Sequence, residues 1–266
     1  MGGASPSRIA LERRGDLLEI RLDRPEVRNA FDDVLIAELQ VALDDAAGDP
    51  TLRCLLLAGA GPTFCAGADL AWMRRAADFG AEENARDARR MACLFATLDA
   101  FPAPTVARVQ GVALGGGVGL VSCVDVAIAD QDARFGFTEV RLGIIPAVIS
   151  AFVLRRISPG VARRYFVTGE IFDGRRAAEL GLVSEAVPAE ALERRTAEIV
   201  SQILSVGPRA ARESKRLVGV VAGASFPEIL EETARWIAEL RGSEEAREGM
   251  AAFLEKRPPA WREGSS

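Results

Sequence analysis

The chain of 266 residues contains no histidine. This absence excludes a Ser-His-Asp triad, a Cys-His nucleophile pair and any metal site built on histidine ligands. Proton transfer near neutral pH must then fall to a carboxylate with a raised pKa, a lysine, a cysteine or the single tyrosine, Tyr165. The chemistry that the sequence can support is therefore narrow, and we predict no metal site.

Cysteine is also scarce. The four cysteines, Cys54, Cys65, Cys93 and Cys123, lie far apart in apolar segments, and no Cys-x-x-Cys pair occurs. No secretory leader precedes them, so we expect buried free thiols, a reducing compartment and a cytoplasmic protein. No apolar run approaches the roughly 20 residues that a membrane-spanning helix needs, and we expect no membrane partner.

Positive charge is in the minority, because the formal net charge is −5 and no basic stripe runs along the chain. Nucleic acid is therefore not an expected partner. Hydrophobic residues make up 49% of the chain and charged residues 27%, which is typical of a folded globular protein. The length suits one α/β core that carries a helical C-terminal region.

Strand and helix patterns alternate along the first two thirds of the chain. Apolar alternation on both sides of Gly15-Asp16 predicts a hairpin of residues 9–14 and 17–22. Further strands are predicted at 52–58, 105–109, 124–129 and 183–187. Helical spacing predicts helices at 31–47, 69–98 with a break near Phe79-Gly80, 190–203, 208–221, 227–240 and 244–255. This order favours parallel strand pairing through crossovers.

Two glycine-rich loops, residues 61–70 and 111–120, each follow a predicted strand and lead into a helix. The first N–H groups of a helix have no helical carbonyl to bind, so such a turn can hold an anion or an oxyanion. Two of these turns side by side could polarise one carbonyl oxygen. No Gly-Lys-Ser/Thr follows either loop, and the fit to a dinucleotide fingerprint is weak. Simple tight packing of helix against strand stays open as the alternative.

The segment 134–146 places one acid, Glu139, among apolar residues shortly before a glycine and a proline. Desolvation in such surroundings raises the pKa of a carboxylate, and this suits it to proton transfer at neutral pH. The alternative is a structural ion pair between Glu139 and Arg141 or another arginine.

These three segments, in this order, resemble the crotonase (enoyl-CoA hydratase/isomerase) superfamily, and the resemblance runs from about Ile9 to Trp261. The motifs that carry it are Arg24-Pro25 through Arg28-Asn29-Ala30, the loop 64–69, Gly115-Gly116-Gly117, Phe135-Gly136 through Glu139, 142–146, and the C-terminal stretches 248–250, 253–257 and 259–261. The resemblance implies an α/β fold with a ββα spiral core, here residues 1–200, and a helical trimerisation region, residues 201–266.

The same resemblance assigns roles to particular residues. The N–H groups of Ala68 and Gly116 would form the oxyanion hole for a thioester carbonyl, and Glu139 would be the principal catalytic carboxylate. Residues expected to line the coenzyme A and substrate site are Arg28, Ala30, Ala66, Asp69, Leu70, Gly117 and Trp72, with helix packing as the alternative for Trp72. The implied partner is an acyl-CoA thioester, with coenzyme A as part of the substrate and no separate cofactor. The implied assembly is a homotrimer or a hexamer made of two trimers.

One position departs from the family pattern. Hydratases of the family with two catalytic glutamates carry the first of them three residues after the oxyanion-hole glycine, where this chain has Gly119. Glycine cannot activate water or donate a proton, so an ordinary two-glutamate hydration is not expected here.

Three interpretations follow from this departure. The amino-acid sequences of segments 115–120, 138–143 and 145–150 are most similar to the bacterial methylglutaconyl-CoA hydratase-like group of leucine catabolism. In that interpretation Glu139 would act as both base and acid. A carboxylate on the acyl chain would then need a cation, with Arg74, Arg75 and Arg141 as candidates. The alternatives are a Δ3-Δ2-enoyl-CoA isomerase that uses a single glutamate and a non-catalytic acyl-CoA-binding scaffold.

Overall fold

The computed structural model describes residues 7–223 and 225–262, apart from the side chain of Glu228. The strands are β1 (Ile9–Arg14), β2 (Leu17–Leu22), β3 (Cys54–Gly59), β4 (Thr105–Val109), β5 (Val112–Leu114), β6 (Val126–Asp130), β7 (Arg134–Gly136), β8 (Phe172–Asp173) and β9 (Glu185–Val187). The helices are α1 (Asp33–Ala47), α2 (Leu70–Ala76), α3 (Ala81–Asp99), α4 (Gly116–Cys123), α5 (Ala147–Val153), α6 (Pro159–Thr168), α7 (Gly174–Glu179), α8 (Ala189–Ser205), α9 (Pro208–Gly223), α10 (Phe226–Arg241) and α11 (Glu244–Glu255). Short 3₁₀ helices cover Pro25–Val27, Thr138–Leu142 and Ala260–Arg262.

The larger sheet has the strand order β1-β2-β3-β4-β6-β9. β1 and β2 pair in antiparallel fashion, and every later neighbour in this sheet pairs in parallel. All six residues of β3 are buried, as expected for a central strand covered on both faces. The smaller sheet has the order β5-β7-β8. Its strand β5 leads into the Gly115-Gly116-Gly117 turn, and β7 shortly precedes Glu139.

The core contains fully buried phenylalanines, among them Phe31, Phe64, Phe95, Phe135 and Phe137. α1 begins at its N-cap Asp32, whose side chain accepts a hydrogen bond from the Leu35 amide at 2.7 Å. Helical periodicity then places Leu35, Leu39 and Leu43 on the buried face. On the opposite face of the sheet, α8 packs Val200 against Leu56 and Val106. Helices therefore cover both faces of the parallel strands.

Cationic side chains fasten the C-terminal helices to the core of the same chain. The buried Arg53, just before β3, donates to the carbonyls of Val206 at 2.8 Å and Trp261 at 3.1 Å. From α9, Lys215 places its Nζ 2.8 Å from a carboxylate oxygen of Asp125. A buried guanidinium group needs several acceptors, so the contacts of Arg53 hold the carbonyls of Val206 and Trp261 in place.

The predicted hairpin is confirmed with its bounds, and so are parallel pairing and the helix break between α2 and α3. The short strands β5, β7 and β8 and the helices α5, α6 and α7 were not predicted. The proposed boundary at residues 200 and 201 falls inside α8, and the division of the chain stays a prediction. The outer ends of both predicted regions, residues 1–6 and 263–266, and also residue 224, lie outside the described residues. Across the helices that are described, none has the length and apolar character needed to span a membrane.

Candidate active site

The two glycine-rich loops lie directly against each other. The amide of Cys65 donates to the carbonyl of Val112 at 3.0 Å, and the amide of Leu114 donates to the carbonyl of Cys65 at 3.0 Å. Gly117 seals this contact, because a Cβ atom there would lie 2.4 Å from the Cys65 carbonyl oxygen. The predicted juxtaposition of the two helix starts is therefore present in the fold.

Ala68 and Gly116 present backbone N–H groups at this junction. The neighbours of Ala68 are tied to Phe31, since the Phe31 amide donates to the Gly67 carbonyl and the Asp69 amide donates to the Phe31 carbonyl, both at 2.7 Å. Gly116 is the first residue of α4 and follows Gly115, whose φ of 50° and ψ of −117° suit only glycine. No carbonyl in residues 7–223 or 225–262 accepts a hydrogen bond from either N–H group. Both remain available for an oxyanion.

The Glu139 carboxyl group lies beside the second loop. From the point where a Cβ atom of Gly115 would stand, Oε1 of Glu139 is 3.2 Å away and Oε2 is 3.9 Å away. Oε2 is buried and has no hydrogen-bond partner in the described part of the chain. Burial raises the pKa of Glu139 above its usual range, and the residue's own backbone N–H opposes this shift only in part. The geometry thus places a carboxyl group with a raised pKa beside the residue that precedes Gly116.

The alternative ion pair between Glu139 and Arg141 is absent from the described residues. Arg141 is exposed and turns away, with Nε 3.2 Å from the Cβ position of Gly169 at the end of α6. A cation near the C-terminus of a helix is favoured by the helix dipole, which gives Arg141 a structural role there.

A buried polar network holds the first loop in place. Arg24 reaches Asp69 at 3.0 Å, Asp32 at 3.1 Å and the carbonyl of Ala30 at 2.7 Å. Asp69 also caps α2 by accepting from the amides of the first helical turn. Burial opposes ionisation of Asp69, but these amides and Arg24 hold its pKa below the usual range.

Asn29 is a positioning residue that the sequence analysis did not single out. Its side chain is fully buried, accepts from the Arg24 amide at 2.8 Å and donates to the carbonyls of Ala60 at 2.9 Å and Thr63 at 2.7 Å. Its φ of 55° lies in the left-handed region, where asparagine is tolerated better than most residues. The only signal for Asn29 was its place in the Arg-Asn-Ala motif.

The remaining predicted site residues divide by exposure. Arg28 and Leu70 are exposed on either side of the loop, and the Arg28 carbonyl accepts from the amide of Ala66 at 3.0 Å. Ala30 and Trp72 are buried in the core. The Asp69 side chain is occupied by Arg24 and the helix cap. Binding of coenzyme A by these residues stays a prediction.

Hydrocarbon surrounds Gly119, the position where the family pattern has its other glutamate. A Cβ atom at Gly119 would lie 2.5 Å from Cγ2 of Ile149 and 2.8 Å from Cζ of Phe95. Contacts under about 3 Å are not tolerated in packed interiors, so this backbone position has no room for a side chain. Glu139 is therefore without a second carboxylate at position 119.

The whole of this geometry lies within a region matched by one family. The family model for enoyl-CoA hydratase/isomerase matches residues 12–264. The chain belongs to the enoyl-CoA hydratase/isomerase family. It is therefore a member of the crotonase superfamily, and the expected crotonase-like fold with a helical C-terminal region is confirmed by its structural neighbours.

Named relatives cover 94–96% of the chain. An enoyl-CoA hydratase from Shewanella pealeana has a crystal structure that superposes with a TM-score of 0.91 at 39% identity, covering 96% of each chain. The crotonyl-CoA hydratase of Syntrophomonas wolfei is 32% identical over 94% of this chain and 95% of its own. The 2,3-dehydroadipyl-CoA hydratase of Escherichia coli is 31% identical over 96% of this chain and 99% of its own.

Other acid–base candidates in this family member are less suited than Glu139. Burial raises the pKa of Cys65 to about 12, so its thiol stays protonated at neutral pH although it lies beside the oxyanion loop. The Tyr165 hydroxyl accepts a hydrogen bond from Nε of Arg176 at 3.4 Å, and its ring packs against Phe172. No group of His, Cys, Asp or Glu residues in the described ranges could hold a metal ion.

Proposed function

We propose that this enzyme hydrates a 2-enoyl-CoA whose acyl chain carries a second carboxylate, of the methylglutaconyl-CoA type. The observation that carries the proposal is the solitary Glu139: its carboxyl group, with Oε2 buried, borders the glycine loop that presents the free Gly116 amide, and hydrocarbon occupies the place of a second acid. This combination supports thioester enolate chemistry with one protein acid–base group.

In the proposed reaction, the N–H groups of Ala68 and Gly116 bind the thioester oxygen and stabilise the negative charge that develops on it. Ionised Glu139 takes a proton from water while the water oxygen bonds to C3 of the acyl chain. The electron pair of the C2–C3 double bond moves toward the thioester to form the enolate. Glu139 then returns its proton to C2, so that one water molecule has been added.

A carboxylate on the substrate supplies what position 119 lacks. Water must be oriented as well as deprotonated, and Ile149 and Phe95 offer no hydrogen-bond acceptor for it. The substrate's own carboxylate could hold the water instead. Similarity to the Escherichia coli 2,3-dehydroadipyl-CoA hydratase supports this choice, because the substrate in that enzyme's name is the thioester of a dicarboxylic acid.

An anionic acyl chain also requires a cation. Among the predicted arginines, Arg75 is already paired with Asp33 at 2.8 Å, and Arg141 packs beside Gly169. Arg74 lies on α2, which starts immediately after the oxyanion loop. We therefore propose Arg74 as the counter-ion of the acyl carboxylate.

Isomerisation of a Δ3-enoyl-CoA is the second candidate. It is supported by the apolar surroundings of Glu139, since a carboxylate that moves a proton from C2 to C4 needs no water and no second acid. The same oxyanion hole would stabilise the dienolate.

A substrate panel separates these possibilities. Purified protein is incubated with 3-methylglutaconyl-CoA, crotonyl-CoA and 3-hexenoyl-CoA, and the thioester products are resolved by liquid chromatography and mass spectrometry. Hydration of 3-methylglutaconyl-CoA with a kcat/KM at least ~10²-fold above that for crotonyl-CoA is the expected result, because the latter lacks the water-holding carboxylate. Exclusive turnover of 3-hexenoyl-CoA would establish the isomerase. Binding of all three without turnover would indicate an acyl-CoA scaffold.

We further propose a cytoplasmic location, which suits four free thiols, and a homotrimer or a hexamer as the assembly. Cys54, Cys65 and Cys123 are buried as expected, whereas the expectation of a buried thiol is wrong for Cys93, which lies on an exposed part of α3. Large apolar side chains are exposed on α9, α10 and α11, including Val218, Phe226, Phe253 and Leu254. Burial of such a surface between subunits is the usual outcome.

A further inference from the structure

Ile149 lies on α5, which packs against the first turns of α4. It is 2% exposed, and its Cγ2 methyl group is the atom nearest to the Cβ position of Gly119. Phe95, from α3, closes the same position from a second direction, with Cε1 and Cζ at 2.9 and 2.8 Å. Helices α3 and α5, which are distant in sequence, thus both contact the point where a side chain at Gly119 would begin.

An aromatic cluster supports Phe95 in this position. The Phe95 ring meets Phe31 edge-on, with ring centroids 6.2 Å apart, and it meets Phe152 at 6.1 Å. Phe31 in turn lies 2.9 Å from the Cβ position of Gly116, the second oxyanion donor. Interiors are close-packed, so movement of Phe95 would be transmitted to Phe31 and the oxyanion loop.

We propose that Ile149, supported by Phe95, is a specificity-determining residue. It fills the space that a second acid at position 119 would need, so that Glu139 is left as the protein's one proton-transfer group. This inference rests on the single-carboxylate reaction proposed above. It explains why the glycine at position 119 is required by packing as well as tolerated by the mechanism. Substrates that bring no water-holding group of their own are then excluded from hydration.

The contact itself can be tested without any substrate. Gly119→Ala and Ile149→Ala are prepared singly and together, and thermal unfolding of each is followed at one protomer concentration. We expect Gly119→Ala to lower the melting temperature in the wild-type background and to have a smaller effect when Ile149 is alanine. Val153→Ala is the matched control, because Val153 is also a fully buried aliphatic residue on α5. Gly119→Ala is therefore compared in wild-type, Ile149→Ala and Val153→Ala protein. A decrease in melting temperature of equal size in all three would overturn the proposed contact.

The effect on specificity is tested with a carboxylate at position 119. In Gly119→Glu alone we expect poor folding, because a charged side chain is forced against Ile149 and Phe95. In Gly119→Glu/Ile149→Ala the volume vacated by Ile149 lets α4 shift away from Phe95, so we expect folded protein and a gain in crotonyl-CoA hydration of about 10²-fold over Ile149→Ala alone. If the single variant folds and gains the same activity, Ile149 excludes nothing and the inference is wrong.

A folded double variant without the gain would also overturn the inference. Failure of the proposed function is a separate result, since it would appear as absent turnover of 3-methylglutaconyl-CoA by the wild-type protein. The alanine cycle would keep its meaning in that case.

Discussion

Oε1 of Glu139 lies 3.2 Å from the point at which a side chain at Gly115 would begin. The residue that shapes the entry to α4 therefore also borders the carboxyl group. Because the next residue, Gly116, carries a proposed oxyanion donor, one backbone turn brings this donor close to the proposed acid–base group.

Glu139→Gln should abolish most turnover while leaving acyl-CoA binding intact. The amide keeps the size of the carboxyl group but cannot accept and return the proton, so we expect kcat to fall by about 10²- to 10⁴-fold. Steady-state kinetics on the best substrate and calorimetric binding of a saturated acyl-CoA provide the measurement. Glu193→Gln is the control, because its side chain is 89% exposed on α8. Turnover within a few-fold of wild type in Glu139→Gln would refute the assignment.

Glu139→Gln should also raise the melting temperature of the unliganded protein at neutral and alkaline pH. A folded-state pKa raised by burial means that the native protein binds the Glu139 proton more tightly than the unfolded chain does. The stability that this gives is complete below the unfolded pKa and is lost as the pH rises through the folded pKa. The melting temperature of Glu139→Gln should therefore exceed that of wild type by more at pH 8 than at pH 4. A gap of equal size at both pH values would contradict the raised pKa.

Gly115→Ala should impair catalysis by moving Glu139. Alanine at φ 50° and ψ −117° is strained by about 1–3 kcal/mol, and its methyl group would press on the carboxyl oxygen. We expect a lower melting temperature together with a lower kcat. Gly160→Ala on α6 is the matched control, since a Cβ atom there meets nothing within 4 Å and should leave both quantities nearly unchanged.

Asp69→Ala should lower the free energy of unfolding by more than a comparable substitution on the surface, because Asp69 anchors the first glycine-rich loop. The substitution leaves the buried Arg24 without its 3.0 Å partner and removes the cap of α2, which together cost about 3 kcal/mol or more. Urea denaturation at fixed protein concentration measures the loss. Asp33→Ala breaks the exposed pair with Arg75, and such pairs contribute only about 0–1 kcal/mol. Similar losses in the two variants would argue against the buried network.

Sedimentation velocity should show a homotrimer or a hexamer. Phe253, on α11, is 83% exposed in the single chain, and Phe253→Glu should shift the distribution toward smaller species by placing a charge in a subunit interface. Gln202→Glu adds the same charge on the exposed side of α8 and should leave the assembly unchanged. A wild-type monomer at micromolar concentration would refute the proposed assembly.

Much of the secondary structure follows from patterns that are local in the sequence. The β1–β2 hairpin and α11 were predicted with their observed bounds because periodicity and turn residues act over a few positions. The strands of the smaller sheet have two or three residues each, and their pairing joins Phe135 to Ala113 and to Phe172. A run this short has no period to read, so its strand character arises only from tertiary pairing.

The site was predictable to the extent that it rests on motifs. Glu139 was identified from its apolar neighbours and the family resemblance, and the structure gives it the expected burial. The packing of Ile149 and Phe95 on Gly119 joins residues from three helices, and no local pattern contains that information. The role of Asn29 likewise depends on two carbonyls more than 30 positions away along the chain. Sequence shows which groups are available, whereas helix packing decides which of them meet.

Arg53 has a consequence for how the chain can be divided. Its guanidinium group sits at the base of β3, where it pairs with the Asp16 carboxylate at 3.3 Å and donates to the carbonyls of residues 204, 206 and 261. A fragment that ended near residue 200 would keep Arg53 and Asp16 but lose the three carbonyl acceptors and the segments that cover this end of the central strand. We therefore expect the helical C-terminal region to contribute to the stability of the core that carries the two glycine-rich loops. A chain cut at residue 200 should unfold at a lower temperature than the whole chain, because the base of its central strand loses both cover and hydrogen bonds.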